Sequence, residues 1–351
     1  MANNMTTNRK NINGICYILD KENKTASVCS LDNDKHYEGY IQIPSSVTYQ
    51  ERYRVCSIGE KAFQGCAKLT SISIPDSVIN IEDLAFEGCI GLTSISIPDS
   101  VTSIGWAAFC QCYGLTTIMF PSNIEHIGSG AFAYTPWYDA QLNGPVYIGK
   151  VLYTYKGEMP NNTIIIVGDE ALEISNPAFE DGSGQTTIII PNSIISIGDA
   201  AFKDCTGLLS ITIPNSVTNI GEETFSGCTG LISISISNSV ISTGDFAFKG
   251  CTGLTSISIP NSVTNIGHAA FDGCTGLTSV SIPNSVTRIG HFAFEGCTRL
   301  TSISIPDSLI HIGYRVFNKC NNLQTIYIPR GMTETYCKMG LEKLRDKIVE
   351  V

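Results

Sequence analysis

What this sequence has little of narrows it first. Charged residues make up only 15% of it, and the balance is acidic, with 22 Lys and Arg against 32 Asp and Glu. Nucleic acids and anionic membrane surfaces demand clustered cations, so neither is an expected partner. No apolar run approaches the roughly 20 residues that span a bilayer, so membrane insertion is not expected either. Residues Met1–Lys10 (MANNMTTNRK) hold no apolar signal core. Either the chain stays in the cytoplasm or a signal peptide has been removed. No cysteine pair has the CxxC spacing of a zinc site; Cys110 and Cys112 stand two apart, which makes no zinc knuckle. There is no glycine-rich phosphate loop, no serine with a positioned base and no acidic pair that stands out for glycosidase work. The expectation is a protein that is not an enzyme and carries neither cofactor nor metal.

What is abundant is repetition. Leu277–Arg299 reads LTSVSIPNSVTRIGHFAFEGCTR, and the preceding Leu254–Gly276 reads LTSISIPNSVTNIGHAAFDGCTG. Phe63, Phe86, Phe109 and Phe132 are 23 apart, as are Phe179, Phe202, Phe225, Phe248, Phe271, Phe294 and Phe317. Prolines keep the same step at Pro75, Pro98 and Pro121, then from Pro191 to Pro329, with Ser237 replacing one of them. Eleven turns in two phased blocks make a solenoid, which grows in one dimension and escapes the usual inference of domain number from length.

One unit can be read physically. In LTSISI the isoleucines alternate with serines, so the segment is a short strand with Ile inward and Ser outward. The leading Leu is out of strand phase and faces inward only if the chain bends before the strand. Pro lacks an N–H for the ladder and ends the strand. Asp/Asn-Ser makes a turn. Val-x-x-Ile is a second extended piece, and Ala-Phe-x-Gly-Cys closes the coil, with Gly allowing positive φ. Eight positions face inward: Leu, Ile, Ile, Val, Ile, Ala, Phe and Cys. A single unit buries too little to offset its ordering, so stability requires stacking. Nine of the 14 cysteines fall at one phase: Cys66, Cys89, Cys112, Cys205, Cys228, Cys251, Cys274, Cys297 and Cys320. They read as a buried ladder of free thiols.

The period breaks in three places. Residues 1–56 read as an N-terminal β cap, with Gly14–Leu19 and Ala26–Cys29 strand-like and an eight-residue insertion near Tyr49–Cys56. Residues 57–134 are the first block. Residues 135–161 form a β-hairpin-like island, because the step from Phe132 to Phe179 is 47 and VYIGKVLYTY alternates. Residues 162–329 are the second block, and 330–351 a C-terminal cap read as a short helix ending in a strand.

Two surfaces are candidates for partner binding. The outward row of the main strands is an uncharged strip, mostly of hydroxyls, best developed at Ser210, Thr212, Ser233, Ser235, Ser256, Ser258, Ser279, Ser281, Ser302 and Ser304. It is either a solubilising face or a platform for a protein or glycan through many weak hydrogen bonds. The island carries Trp137, Tyr138, Tyr147, Tyr153 and Tyr155, which either patch an imperfect rung or form an aromatic contact surface. His268 and His291 share a repeat phase and so stack on adjacent turns, as exposed variable positions or as a two-ligand metal bridge.

The unit LTSISIPDSVTSIGWAAFCQC (Leu92–Cys112) resembles the BspA-like class of leucine-rich repeats, also called the Treponema pallidum-type class. The resemblance covers about residues 57–329, and YEGYIQIPSSVTY followed by YRVCSIGEKAF is similar to the opening piece of that family. It implies a mostly β, right-handed leucine-rich-repeat solenoid of 23-residue units, with a parallel sheet on one face and short turns or 3-10 pieces elsewhere. It further implies a secreted or surface protein of host-associated microbes that attaches to host or microbial proteins or glycans. The turns Asp76–Val78, Asp99–Val101 and Asp307–Leu309 resemble an O-glycosylation signal that some gut bacteria use on exported proteins. The reading adopted is a monomeric adhesion scaffold; the alternative is an intracellular protein-interaction scaffold.

Overall fold

In each turn the alternation of Ile and Ser sets one short strand, and the step of 23 sets its register. In a computed structural model, which describes residues 8–32 and 35–351, Ser256–Ser258 pairs in parallel with Ser279–Ser281, and that strand with Ser302–Ser304. Ser256 faces Ser279 and then Ser302, so like stacks on like. The turn from Leu254 shows why. Leu254, Ile257, Ile259, Val263, Ile266, Ala270, Phe271 and Cys274 are all buried, as the unit's pattern requires. Leu254 precedes the strand and turns inward through a bend closed by its own N–H donating to the Cys251 carbonyl at 3.2 Å. Pro260 ends the strand, and its carbonyl accepts from Val263 N–H at 3.1 Å.

The chain divides into two compact units, 1–142 with 146–153 and 143–145 with 154–351. The first opens with β1 (Arg9–Ile12), β2 (Ile15–Asp20) and β3 (Thr25–Cys29), an antiparallel meander. β4 (Gly39–Gln42) begins the main line of parallel strands by pairing with Leu69–Ser73. β5 (Ser46–Tyr49) and β6 (Glu51–Ile58) form a hairpin from the inserted residues. β6 then pairs in parallel with both β3 and Asn80–Ile81, which joins the meander to the second line of strands. Phe63, Phe86, Phe109 and Phe132 stack at centroid spacings of 5.0, 4.9 and 5.4 Å, close to the spacing of parallel strands.

The second unit repeats this plan. Thr163–Ile166, Thr186–Ile189, Leu208–Thr212 and Ser233–Ser235 form one parallel sheet, and Ser256–Ser258 to Thr325–Ile328 continue the pattern in another. Phe179 to Phe317 stack with near-parallel rings. At the C-terminus α2 (Thr333–Tyr336) leads through further helical turns to Ile348–Glu350, which pairs in parallel with Thr325–Ile328. Tyr336 is buried, and its hydroxyl donates to the Pro306 carbonyl.

The island holds α1 (Pro136–Asp139), which the strand alternation did not foretell, and two neighbouring strands, Gly144–Ile148 and Val151–Lys156. Thr135 explains the helix. It falls at the cysteine phase and is buried, and its hydroxyl donates to the Phe132 carbonyl at 2.8 Å. The same oxygen accepts from Tyr138 N–H at 3.1 Å, capping a turn that Pro136 is shaped to begin.

Glycine has a second role beyond turns. Gly65, Gly88, Gly227, Gly250, Gly273 and Gly296 have positive φ, as the closing motif requires. Gly267 does not. A Cβ there would lie 2.3 Å from the Gly244 carbonyl oxygen, so successive coils touch backbone to backbone at this phase.

Candidate functional site

The hydroxyl strip is built by strand alternation. Ser256, Ser279, Ser302 and Thr325 stand in one row, and Ser258, Ser281, Ser304 and Tyr327 in the next. Ile257, Val280, Ile303 and Ile326, between them, are buried. In the neighbouring sheet Thr187, Ser210 and Ser233 continue the first row, and Ile189, Thr212 and Ser235 the second. No charged side chain interrupts these rows. Ser233, Ser235, Ser256, Ser258, Ser279, Ser281 and Ser304 are exposed; Ser210 and Ser302 are half-buried. Ile164 and Ile166 precede Thr187 and Ile189 in register and are also exposed, so the strip is apolar at that margin of the second unit. Sequence reasoning passed over them because that turn follows the island, where the period is broken.

A second set of serines behaves differently. The turn serines Ser100, Ser239, Ser262, Ser285 and Ser308 each donate to a carbonyl 22 residues back, as Ser262 does to Val240 at 2.5 Å and Ser285 to Val263 at 2.6 Å. These hydroxyls stitch one coil to the next. Ser100 and Ser308 belong to the glycosylation-like turns and are thus engaged within the chain, whereas the Ser77 hydroxyl has no partner.

The island aromatics are mostly internal. Trp137 packs edge-on against Phe120 and Phe132, at 5.1 and 5.3 Å. Tyr153 is 5% exposed, its ring stands edge-on to Phe132 at 5.7 Å, and its hydroxyl accepts from Phe132 N–H at 3.0 Å. Burial pushes its phenol well above the usual range. Tyr138 lies edge-on to Tyr153, and Tyr155 stacks on Phe179 at 5.8 Å. Tyr147 is the most exposed of the five, at 40%, and Trp137, Tyr138 and Tyr155 are half-buried. Trp137, Tyr153 and Tyr155 thus pack against rings of the solenoid where the repeat is imperfect, the rung-patching arrangement of the two expected for this island.

His268 and His291 stack at 4.9 Å, but as structural side chains. Asp245 Oδ1 accepts from His268 N–H at 2.7 Å, His268 Nδ1 from His291 N–H at 3.2 Å, and His291 Nδ1 from Tyr314 N–H at 2.8 Å. The same position holds Asp83 and Asp199, which accept from the next turn in the same way. Imidazole here replaces carboxylate as the acceptor that caps the following coil, so Nδ1 is not available to a metal. Among the described residues no group of three or more His, Cys, Asp or Glu side chains is placed to hold a metal ion. No helix among them is long and apolar enough to cross a membrane.

The cysteine ladder is satisfied internally. Cys89, Cys112, Cys228, Cys251, Cys274, Cys297 and Cys320 each donate to a phenylalanine carbonyl 26 residues back, at 3.0–3.2 Å. Burial pushes the Cys274 and Cys297 thiols up, which keeps them protonated and unreactive.

Short parallel strands at a 23-residue step, an inward Leu-Ile-Ile set and a closing Phe-Cys ladder define a leucine-rich-repeat solenoid. The chain matches the BspA type Leucine rich repeat region in six copies, over residues 39–158, 172–275 and 242–339, and it belongs to that family. Among solved structures it is similar to a leucine rich cell surface protein from Faecalibacterium prausnitzii, at 26% identity and a TM-score of 0.43, with 95% of this chain and 97% of that one covered. A leucine-rich repeat protein from Bacteroides ovatus is also 26% identical, with 97% and 99% covered and a TM-score of 0.43. The leucine rich repeat protein of T. pallidum is 19% identical, with 92% of each chain covered and a TM-score of 0.28. No curated protein matches the chain.

Proposed function

We propose that this chain is a non-enzymatic binding and adhesion scaffold, secreted or held at a bacterial cell surface, that contacts a host or microbial protein or glycan through the hydroxyl strip. One observation carries this reading: the two serine phases differ. Turn serines spend their hydroxyls on carbonyls of the neighbouring coil, whereas Ser258, Ser281 and Ser304 stand exposed in a row. A flat row of uncommitted hydroxyls at strand spacing suits a ligand that repeats, and many weak bonds then sum by avidity. The test is an array of extracellular-matrix proteins and host glycans, probed with the native chain and with a Ser258→Arg, Ser281→Arg, Ser304→Arg variant. Binding by the native chain that falls at least about tenfold in a variant with an unchanged melting curve supports the strip. Binding that survives the substitutions, or no binding at all, overturns it.

A second reading is an intracellular protein-interaction scaffold. It is favoured by the free state of all the described cysteines. Protease shaving of intact source cells separates the two. Loss of the chain with a cytoplasmic marker intact supports the surface reading, and full protection while other surface proteins are digested supports the intracellular one.

A further inference from the structure

Five cysteines lie outside the repeat phase, and two of them face each other. Cys16 on β2 and Cys29 on β3 are direct partners in the antiparallel register. Directly opposed residues in such a pair have Cα atoms about 4.5–5.5 Å apart, inside the range a disulfide spans. Their sulfurs are 3.0 Å apart. A carbon or sulfur contact without bonding is wider, and a disulfide bond is about 2.05 Å, so closure needs a movement of roughly 1 Å.

The surroundings set this pair apart from the ladder. Ladder thiols donate to carbonyls, as Cys274 does to Phe248. The Cys29 thiol points at a sulfur instead. Arg9 Nε lies 3.2 Å from Cys16 Sγ and places a cation beside that sulfur, and Asp32 Oδ1 sits 3.0 Å from the same Nε. The Tyr37 hydroxyl accepts from Cys16 N–H at 2.9 Å and donates to the Cys29 carbonyl at 2.8 Å, so one side chain braces both cysteine backbones. The two side chains are thus held on one face of a hairpin by groups that bond formation would leave in place.

We propose that Cys16 and Cys29 are a disulfide site that staples the N-terminal hairpin when the chain meets a small-molecule disulfide such as oxidised glutathione. The Cys16 thiolate attacks one glutathione sulfur, forms a mixed disulfide and releases the other glutathione as a thiol. Cys29 then attacks the Cys16 sulfur, the protein disulfide forms, and the second glutathione leaves. Two electrons and two protons pass from the cysteine pair to the glutathione disulfide, which ends as two thiols. Burial pushes the Cys29 thiol up and both cysteines are buried, so exchange proceeds as the hairpin breathes or during folding. The bond closes a loop across the meander that caps the first block. The site does not depend on the proposed ligand surface.

The full-length reduced chain is incubated with oxidised glutathione, quenched in acid, unfolded, alkylated and digested with trypsin. The expected product joins peptides 11–21 and 25–35, lighter than the sum of the two by two hydrogen atoms. Cys228, Cys251 and Cys274 should be alkylated in full. Limited proteolysis of the cap should slow by roughly a hundredfold on oxidation, the opening penalty for closing a loop of that length. Cys16→Ser and Cys29→Ser should each abolish the linked peptide and the protection. Alkylation of both cysteines after oxidation, or linkage of either one to a ladder cysteine, overturns the proposal. Because the mass readout is taken on the native sequence, it holds even if a variant fails to fold.

Discussion

Gly267 and Gly273 stand six residues apart in one turn, and the structure gives them different reasons to be glycine. At Gly267 an alanine Cβ would lie 2.3 Å from Gly244 O, 2.5 Å from Gly244 C and 2.8 Å from Asp245 N, all backbone atoms that cannot rotate away. Restoring contact distance requires the coils to part by about 1 Å, against a spacing of about 4.8 Å. That movement stretches two hydrogen bonds between the same coils, Phe246 N–H to His268 O and His268 N–H to Asp245 Oδ1, both 2.7 Å. Two weakened bonds at about 1 kcal/mol each, with overpacking of 1–3 kcal/mol, give a loss of about 3–5 kcal/mol for Gly267→Ala. At Gly273 the nearest atoms to an added Cβ are 3.8 Å away, so nothing clashes, but φ is +72°. Gly273→Ala therefore meets only the left-handed backbone penalty, about 1 kcal/mol. The same phase already tolerates Gln111, Asp204 and Lys319, with φ of 59°, 53° and 59°. Urea unfolding followed by circular dichroism should rank the two variants, and amide exchange should show Thr264–Phe271 opening in Gly267→Ala alone. A Gly273→Ala variant as unstable as Gly267→Ala would refute the argument that coil approach, rather than turn geometry, fixes this glycine.

Three further outcomes follow from the same geometry. Gln111→Gly, which relieves a left-handed residue where most turns carry glycine, should raise stability by about 0.5–1 kcal/mol, read as an increase in Tm; no change or a decrease would count against strain there. Phe271→Ala should cost about 3–5 kcal/mol, because its ring stacks on Phe248 and Phe294 at 5.2 Å each, and amide protection should fall in the adjoining turns as well as its own. Stability should also fall in alkali. Burial holds the Cys274 and Cys297 thiols protonated, and pushes the Cys320 thiol up to about 11. Unfolded thiols ionise near pH 8.5, so the unfolded chain binds fewer protons above that pH. The ladder's contribution is whole below about pH 8.5 and is lost as pH rises, by about 1.4 kcal/mol per unit for each thiol. Urea midpoints that stay level from about pH 9 to 10 would contradict the buried-thiol account.

The architecture was legible because solenoid stacking makes the same demand at the same phase in every turn. Inward Leu254, Ile257, Phe271 and Cys274 could be named from spacing alone, since each is the same answer to one environment. What escaped were answers that differ in residue type while serving one need. Asp245 differs in type from His268 and His291 at the same phase, yet each offers an acceptor to an N–H of the following turn. Leu84, Ala107, Phe246 and Phe292 share a left-handed φ that no composition rule assigns to such side chains; the chain is bent there by the coil closure on either side. Tyr153 and Trp137 could be read from sequence either as rung-patching or as contact aromatics, because hydrophobic period was lost around them. Their packing follows from Phe132, whose ring and N–H are left open where the next regular turn fails to follow.

That failure point also bears on where a ligand could bind. An island that packs Trp137 and Tyr153 against Phe132 has fewer rings to offer a ligand. The strip faces the opposite constraint. Its serines can be exchanged without reopening the core, because Ile257, Val280 and Ile303 beneath them carry the burial. Near-identical turns then make any recognition a property of the row rather than of one rung. A ligand held in this way should lose affinity in proportion to the number of substituted rungs, whereas a ligand seated on one rung should lose it all at a single position.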